Sequence, residues 1–190
     1  MTRSKGFFAQ LLVAILLSLT FIGLGDWQLN RAHDVKQVNQ KLPDSPRTNL
    51  EDIASANSNL EPDAINRLVS TSGKYVKTFS APGQKLLGSK SSAVTDLEIR
   101  LLELSGNRGI LVVRGVQSLE SQEIIGQVKI NGRLYPRQTS DAAKAGKDEL
   151  SRIDPALVVA DTKLSLFDGY IIATSEKTKL GEEILTSRVP

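Results

Sequence analysis

The sequence predicts a mainly β domain behind one N-terminal transmembrane helix. The β part reads as a barrel-like or sandwich arrangement of about six or seven antiparallel strands with few short helices. Three observations carry this. Residues 7–25 form an uncharged apolar run, FFAQLLVAILLSLTFIGLG. Eight glycines punctuate the stretch from Gly73 to Gly132, an interval typical of short antiparallel strands. The chain has 190 residues, 40% hydrophobic and 24% charged, which places it among globular proteins of one ordinary domain.

The apolar run has 19 residues, spanning roughly 28 Å at 1.5 Å per residue, close to the ~30 Å of a bilayer hydrocarbon core. Phe7 and Trp27 stand at its ends, as interfacial aromatics do. Arg3 and Lys5 ahead of it, and Gly23-Leu24-Gly25 at its end, also fit a cleavable signal peptide. The run exceeds a signal's usual apolar length, which favours an uncleaved anchor. Residues 1–6 then form a cytoplasmic tail too short for a domain or a mitochondrial presequence. The expected location is the bacterial cell membrane, single-pass, with the bulk of the chain extracytoplasmic and membrane lipid as one partner.

No helix breaker interrupts residues 26–42, where Trp27, Arg31, Val35, Val38 and Leu42 recur at helical spacing. The anchor helix is therefore expected over 7–42, ending at Pro43. Residues 43–65 turn polar and read as a linker, with Thr48-Asn49-Leu50-Glu51 as a capping box for a short helix over 49–56. Residues 66–190 form the β domain. Strands are expected over 68–78, 85–88, 96–104, 110–115, 123–135 and 167–175, with a hairpin around Ser105-Gly106-Asn107-Arg108-Gly109. Val69-x-x-x-Gly73-Lys74 and Val128-x-x-x-Gly132-Arg133 echo one another. Ser140 suggests a helix over 141–150, and Asp154-Pro155 one over 155–160. From Pro43 onward there are 148 residues, enough to bury roughly 68% of the unfolded surface.

Most chemistry is excluded. There are no cysteines and one histidine, His33, so thiol catalysis, cysteine metal sites and multi-histidine sites are out of reach. Glu182-Glu183 and Asp148-Glu149 are adjacent pairs that point different ways, unlike an acid/base pair. Gly106-x-x-Gly109 lacks the Lys-Ser/Thr of a phosphate loop. The formal charge of +3 is spread along the chain and not interleaved with aromatics, so nucleic acid is not an expected partner. No catalytic residue and no metal ligand is assigned.

Two places hold polar residues that exposure alone does not explain. Trp27 and Arg31 share a helix face at i, i+4 with Gln28 beside them, and can grip a partner through cation–π and hydrogen-bond contacts. Arg114-Gly115 ends the apolar strand Gly109-Ile110-Leu111-Val112-Val113, where a Gly marks a turn or bulge.

These places bring a family into view. Leu24-Gly25-Asp26-Trp27-Gln28-Leu29-Asn30-Arg31 resembles the LGxWQxxR motif of the Surfeit locus protein 1 family, assembly factors for haem–copper cytochrome oxidase. In the family's order, Val69 to Tyr75 is similar to its V-x-x-x-G-x-Y strand and Gly109 to Gly115 to its xxLVNRGW strand. Glu123 to Val128 resembles the strand after it, and Arg152-Ile153-Asp154 its xRxD stretch. The motif asparagine is Val113 here, the following aromatic is Val116, and the basic residue beyond the motif arginine is shifted to Lys36. Members normally end in a second transmembrane helix, and none is read before Pro190. Haem binding is not carried over, since His33 is the one histidine, so no cofactor is assigned. The resemblance implies a non-catalytic, membrane-anchored factor that binds cytochrome oxidase subunits and assists assembly or maturation. Gly25, Trp27, Gln28, Arg31, Arg114 and Gly115 are its candidate partner-binding residues. A permanent accessory subunit of a respiratory oxidase or supercomplex is the alternative, and an anchored extracytoplasmic binding module unrelated to respiration a further one.

Overall fold

Alternating apolar and polar residues beyond Arg67 fold into six strands, joined by a two-residue strand ahead of them, seen in a computed structural model that describes residues 10, 14, 17–25, 46–85, 94–117, 124–178 and, as backbone, 183–186. The strands are β1 (Thr48–Asn49), β2 (Leu68–Lys85), β3 (Val94–Leu104), β4 (Arg108–Val116), β5 (Gln127–Pro136), β6 (Ser165–Thr178) and β7 (Glu183–Thr186). They form one sheet in the order β1-β2-β3-β4-β6-β5, with β7 on β6. β5 also pairs with β2, which closes β2, β3, β4, β6 and β5 into a barrel.

The sheet is mixed, not all antiparallel as expected. β1–β2 and β4–β6 are parallel. The cause of the second is the long return over 137–164, which brings the chain back to start β6 at Ser165, opposite the start of β4 at Arg108. That return packs Leu150, Ile153 and Val158 onto the outer face of β3, β4 and β6, making a second core with Ile99, Leu101, Leu111, Val113 and Ile172. The barrel interior holds the first core, including Val69, Leu102, Ile110, Val112, Ile130 and Ile171. β4 is thus buried on both faces, which is why it reads as the unbroken run Ile-Leu-Val-Val.

β2 serves both cores because of one extra residue. Tyr75 pairs with Leu102 but Lys77 with Leu101, so Val76 is bulged and exposed. Before the bulge Val69 and Tyr75 face the interior; after it Phe79 and Ala81 face the outer core. The echoed stretches turn out to be partners: Val69 lies opposite Gly132, and Gly73 opposite Val128. Each glycine sits where a third strand crosses closely. A Cβ at Gly73 would collide with the Glu103 carbonyl oxygen of β3, and one at Gly132 with the Ile172 carbonyl oxygen of β6.

Several local expectations are corrected. The helix of 49–56 is only Leu50–Ile53, which buries Leu50 in the interior core. Thr48 and Asn49 pair with β2 instead, and the Thr48 hydroxyl donates to the Pro46 carbonyl rather than capping. No helix forms over 141–150, because the Leu150 amide donates to the Ser80 carbonyl and the Ser80 amide to Asp148, tying that segment to β2. Pro155–Asp161 is a 3₁₀ helix, capped by the Asp154 carboxylate, which accepts from the Ala156 amide at 2.9 Å. The hairpin loop is three residues, Ser105 to Asn107, with Gly106 and Asn107 at positive φ.

The largest correction concerns the membrane. Among the described residues no helix is long and apolar enough to cross a bilayer. The transmembrane helix, the single-pass anchoring in a bacterial cell membrane with the bulk extracytoplasmic, and membrane lipid as a partner all rested on that span and are withdrawn. The remainder of the expected 7–42 helix lies outside the described residues. By its contacts the chain divides into two compact units, 1–41 and 42–190.

Candidate functional site

Arg114 owes its position to a second bulge. Ile99 pairs with Val113 and Glu98 with Gly115, so Arg114 is the extra residue on β4. It falls on the same side as Val112, inside the barrel, and Gly115 follows with φ +123°, a backbone that side chains rarely adopt. Arg114 is 2% exposed, far from the rim charge usual at a strand end.

Four side chains meet it. The Arg114 Nε donates to both carboxylate oxygens of Glu176 at 3.0 Å, and Nη1 donates to Glu98 Oε1 at 2.6 Å. Nη2 lies 2.9 Å from Glu176 Oε2. Arg100 Nε donates to the same Glu98 oxygen at 2.7 Å. The Tyr75 hydroxyl donates to Glu176 Oε1 at 2.5 Å, while the Arg100 and Arg114 guanidinium carbons stand 5.3 and 5.8 Å from the Tyr75 ring centre. All five residues are buried, Glu176 completely. Two arginines against two glutamates leave the cluster neutral.

The cluster also marks a split in the sheet. The β4–β6 ladder ends at Val113 and Ile172, and beyond it β6 takes β7 as its partner, Ser175 opposite Thr186. The Arg114–Glu176 pair bridges the strands where their main chains part. A buried ionic network of this kind contributes little net stability, because desolvation offsets its Coulomb energy, but losing one member exposes the other charge to an apolar interior.

The electrostatics hold Tyr75, Glu98 and Arg114 each in one protonation state. Burial, then the Glu176 charge and hydrogen bond, hold the Tyr75 hydroxyl well above its ordinary pKa. Burial opposes ionisation of Glu98, yet Arg114 and Arg100 outweigh it and hold its carboxyl below the usual range. Burial likewise works against the Arg114 charge, and Glu176 and Glu98 overcome it. Tyr75, Glu98 and Arg114 are therefore each held away from proton exchange near neutral pH. Among the described residues, no group of three or more His, Cys, Asp or Glu side chains could hold a metal ion.

Arg152-Ile153-Asp154 acts in the long return. Arg152 Nε lies 2.9 Å from Asp154 Oδ2 and Nη1 2.8 Å from Asp141, while Ile153 enters the outer core. Lys77 on β2 fastens the same segment, 3.2 Å from both Asp148 and Asp161.

Of the residues singled out in the sequence, Arg114 and Gly115 lie together at the bulge. Gly25 ends the described helical run and is half-buried, while Trp27, Gln28, Arg31 and His33 lie outside the described residues. Sequence reasoning missed Glu98, Arg100 and Glu176. For the first two a signal exists: opposite charges at i, i+2 within Leu97-Glu98-Ile99-Arg100-Leu101 share one face of an otherwise apolar strand. Glu176 sits between Ser175 and Lys177 and carries no such signal.

Fold and site together define a β barrel with a buried, mutually paired charge cluster in its interior. A family model, the SURF1 family, matches residues 15–188. The chain belongs to the SURF1 family, whose members are non-catalytic assembly factors, and it is not an enzyme. No curated protein matches the chain. Two of the family-like stretches, those holding Tyr75 and Arg114, converge on Glu176.

Proposed function

We propose that the chain assists the assembly of haem–copper cytochrome oxidase by binding a subunit while it matures, with no chemical step and no cofactor of its own. The family match over residues 15–188 carries this reading. The neutral, fully engaged cluster supports it, since a holding role asks for a fixed surface rather than a reactive group. Gly25, Trp27, Gln28 and Arg31 are the proposed contact residues. Arg114 and Gly115 serve from inside, by setting the course of the chain as it leaves β4.

The test is to tag the full chain, extract cells gently, purify, and quantify co-purifying subunits by mass. Cytochrome oxidase subunits enriched above the untagged background, in cofactor-deficient form, are the expected result. Replacing Trp27 and Arg31 together by Ala should reduce that recovery at least severalfold. Mature oxidase at one copy per chain would mean a permanent accessory subunit instead. No oxidase subunit above background would overturn the assembly reading.

A further inference from the structure

We infer that the outer face of β2, β5 and β6 is a docking surface for an acidic, extended segment of a protein partner. This deepens the assembly reading by assigning a chemistry to the segment the partner presents. The inference starts from register. Ser72 lies opposite Lys129, and Lys129 opposite Lys177, so one row across three strands carries two lysines side by side. Lys74, opposite Gln127, stands diagonally next to Lys129. The Asn131 to Ser175 side-chain hydrogen bond of 2.9 Å shows that the neighbouring row shares this outward face.

Like charges directly opposite one another on a sheet destabilise it. Among the described residues Lys74, Lys129 and Lys177 make no ion pair, and all three are exposed. The outward positions of β2 over 70–74, of β5 and of β6 over 175–177 include no carboxylate. Acidic residues stand only at the margins, Glu103 of β3 opposite Lys74 and Glu183 of β7 opposite Lys177. Among the described residues Lys129, at the centre of the row, thus has no carboxylate opposite it, only Ser72 and a second lysine, at a cost to the sheet's own stability.

Spacing selects the ligand. Diagonal neighbours on a sheet lie roughly 7–8 Å apart, and alternate side chains of an extended chain repeat at roughly 7 Å. Carboxylates on alternate residues of an extended segment therefore meet Lys129 and Lys74 in step. No aromatic stands at outward positions 70, 72, 74, 127, 129, 131, 175 or 177, so the lysine row has no platform for unstacked bases. Three lysines also fall short of the 4–8 basic residues that mark anionic lipid recognition.

The experiment uses the full chain and a labelled peptide of alternating Glu and Ser, with binding read by fluorescence anisotropy at low and physiological salt. The wild-type chain should bind, and more weakly as salt rises. The double variant Lys129→Glu, Lys177→Glu should lose at least about tenfold in affinity, ~1.4 kcal/mol. The control Lys144→Glu, Lys147→Glu changes net charge equally on the exposed part of the long return and should bind within about twofold of wild type. Lys129→Glu alone places a carboxylate opposite Lys177, so it should melt no lower than wild type and still bind more weakly.

Equal binding by wild type and the Lys129/Lys177 variant, or equal loss in both double variants, would overturn the inference. So would binding to vesicles containing anionic lipid with none to the peptide. The tagged-chain purification separates the two proposals. Oxidase retained by the Lys129/Lys177 variant sinks this face and leaves the assembly reading standing. Peptide binding that depends on these lysines, with no oxidase recovered by the wild type, sinks the assembly reading and keeps the face.

Discussion

Inside the barrel the Arg114 guanidinium lies along the Glu176 carboxylate, with Nε 3.0 Å from both oxygens and Nη2 2.9 Å from one. The pair joins β4 to β6 beyond their last main-chain partners, Arg114 one residue past Val113 and Glu176 four past Ile172. Side-chain charge thus takes over where the ladder stops, and the mouth of the barrel depends on it.

Glu176→Gln should destabilise the fold by about 3–5 kcal/mol, because Arg114 keeps its charge in an apolar surround with half its partners gone. Arg114→Met with Glu176→Met should cost less than the sum of the two single changes, since both charges leave together. Urea unfolding of the four proteins gives the coupling directly. Additive losses would mean that the pair is not an energetic unit.

Stability should follow pH with two limbs. Glu98 has its folded pKa lowered, so its contribution is complete above the ordinary carboxylate range and is lost as pH falls through the lowered folded value. Tyr75 has its folded pKa raised, so its contribution is complete below the ordinary 10.0 and is lost as pH rises toward the folded value. Tyr135 and Tyr170 are raised too, by burial first, and add to the alkaline limb. Melting temperature should therefore hold level between about pH 5 and pH 9 and fall on either side. Tyr75→Phe should shallow the alkaline limb and leave the acid limb in place.

Gly73→Ala and Gly132→Ala should each cost about 2–3 kcal/mol, because a methyl group there meets the backbone of a third strand, at Glu103 or Ile172. Gly126→Ala is the contrast. Its Cβ meets nothing within 4 Å, so its loss reflects only the positive φ of 98°. Thermal melts of the three variants should rank the first two well below the third.

Asp154→Ala should cost about 1 kcal/mol through the lost cap on the Ala156 amide. The long return is held at separate points by Lys77 and by the Leu150 to Ser80 amide bond, so the barrel should survive. Hydrogen exchange should speed at residues 155–161 and stay slow in β4. Exchange spreading through β4 would mean that the return segment is needed for the barrel itself.

Much of the barrel was legible because strand burial leaves a period in the sequence. The apolar run Ile110 to Val113 was read as a strand, and the structure buries it on both faces; the Val69/Gly73 and Val128/Gly132 echo was noticed, and the structure pairs those two strands. What sequence could not carry was anything set by a single extra residue. The bulge at Val76 transfers Phe79 from one core to the other, and the bulge at Arg114 leaves that residue unpaired on β4 and gives Gly115 to Glu98. Neither changes local composition. The parallel β4–β6 pair depends on a return of 28 residues whose path is fixed by distant partners such as Ser80. At the front of the chain hydropathy alone suggested a bilayer span, and among the described residues no helix is long and apolar enough to make one. Of the charge cluster only Arg114 was singled out; the Glu98/Arg100 alternation held a signal that went unread, and Glu176 held none, because its neighbours Ser175 and Lys177 read as surface.

The most direct test of the central claim is the amount of assembled cytochrome oxidase in cells lacking this chain, measured by haem a absorbance and by native gel. Assembled oxidase should drop severalfold and return with the wild-type chain but only in part with Arg114→Met, which lacks the charge that holds the barrel mouth. Normal oxidase content in the deleted cells would contradict the account.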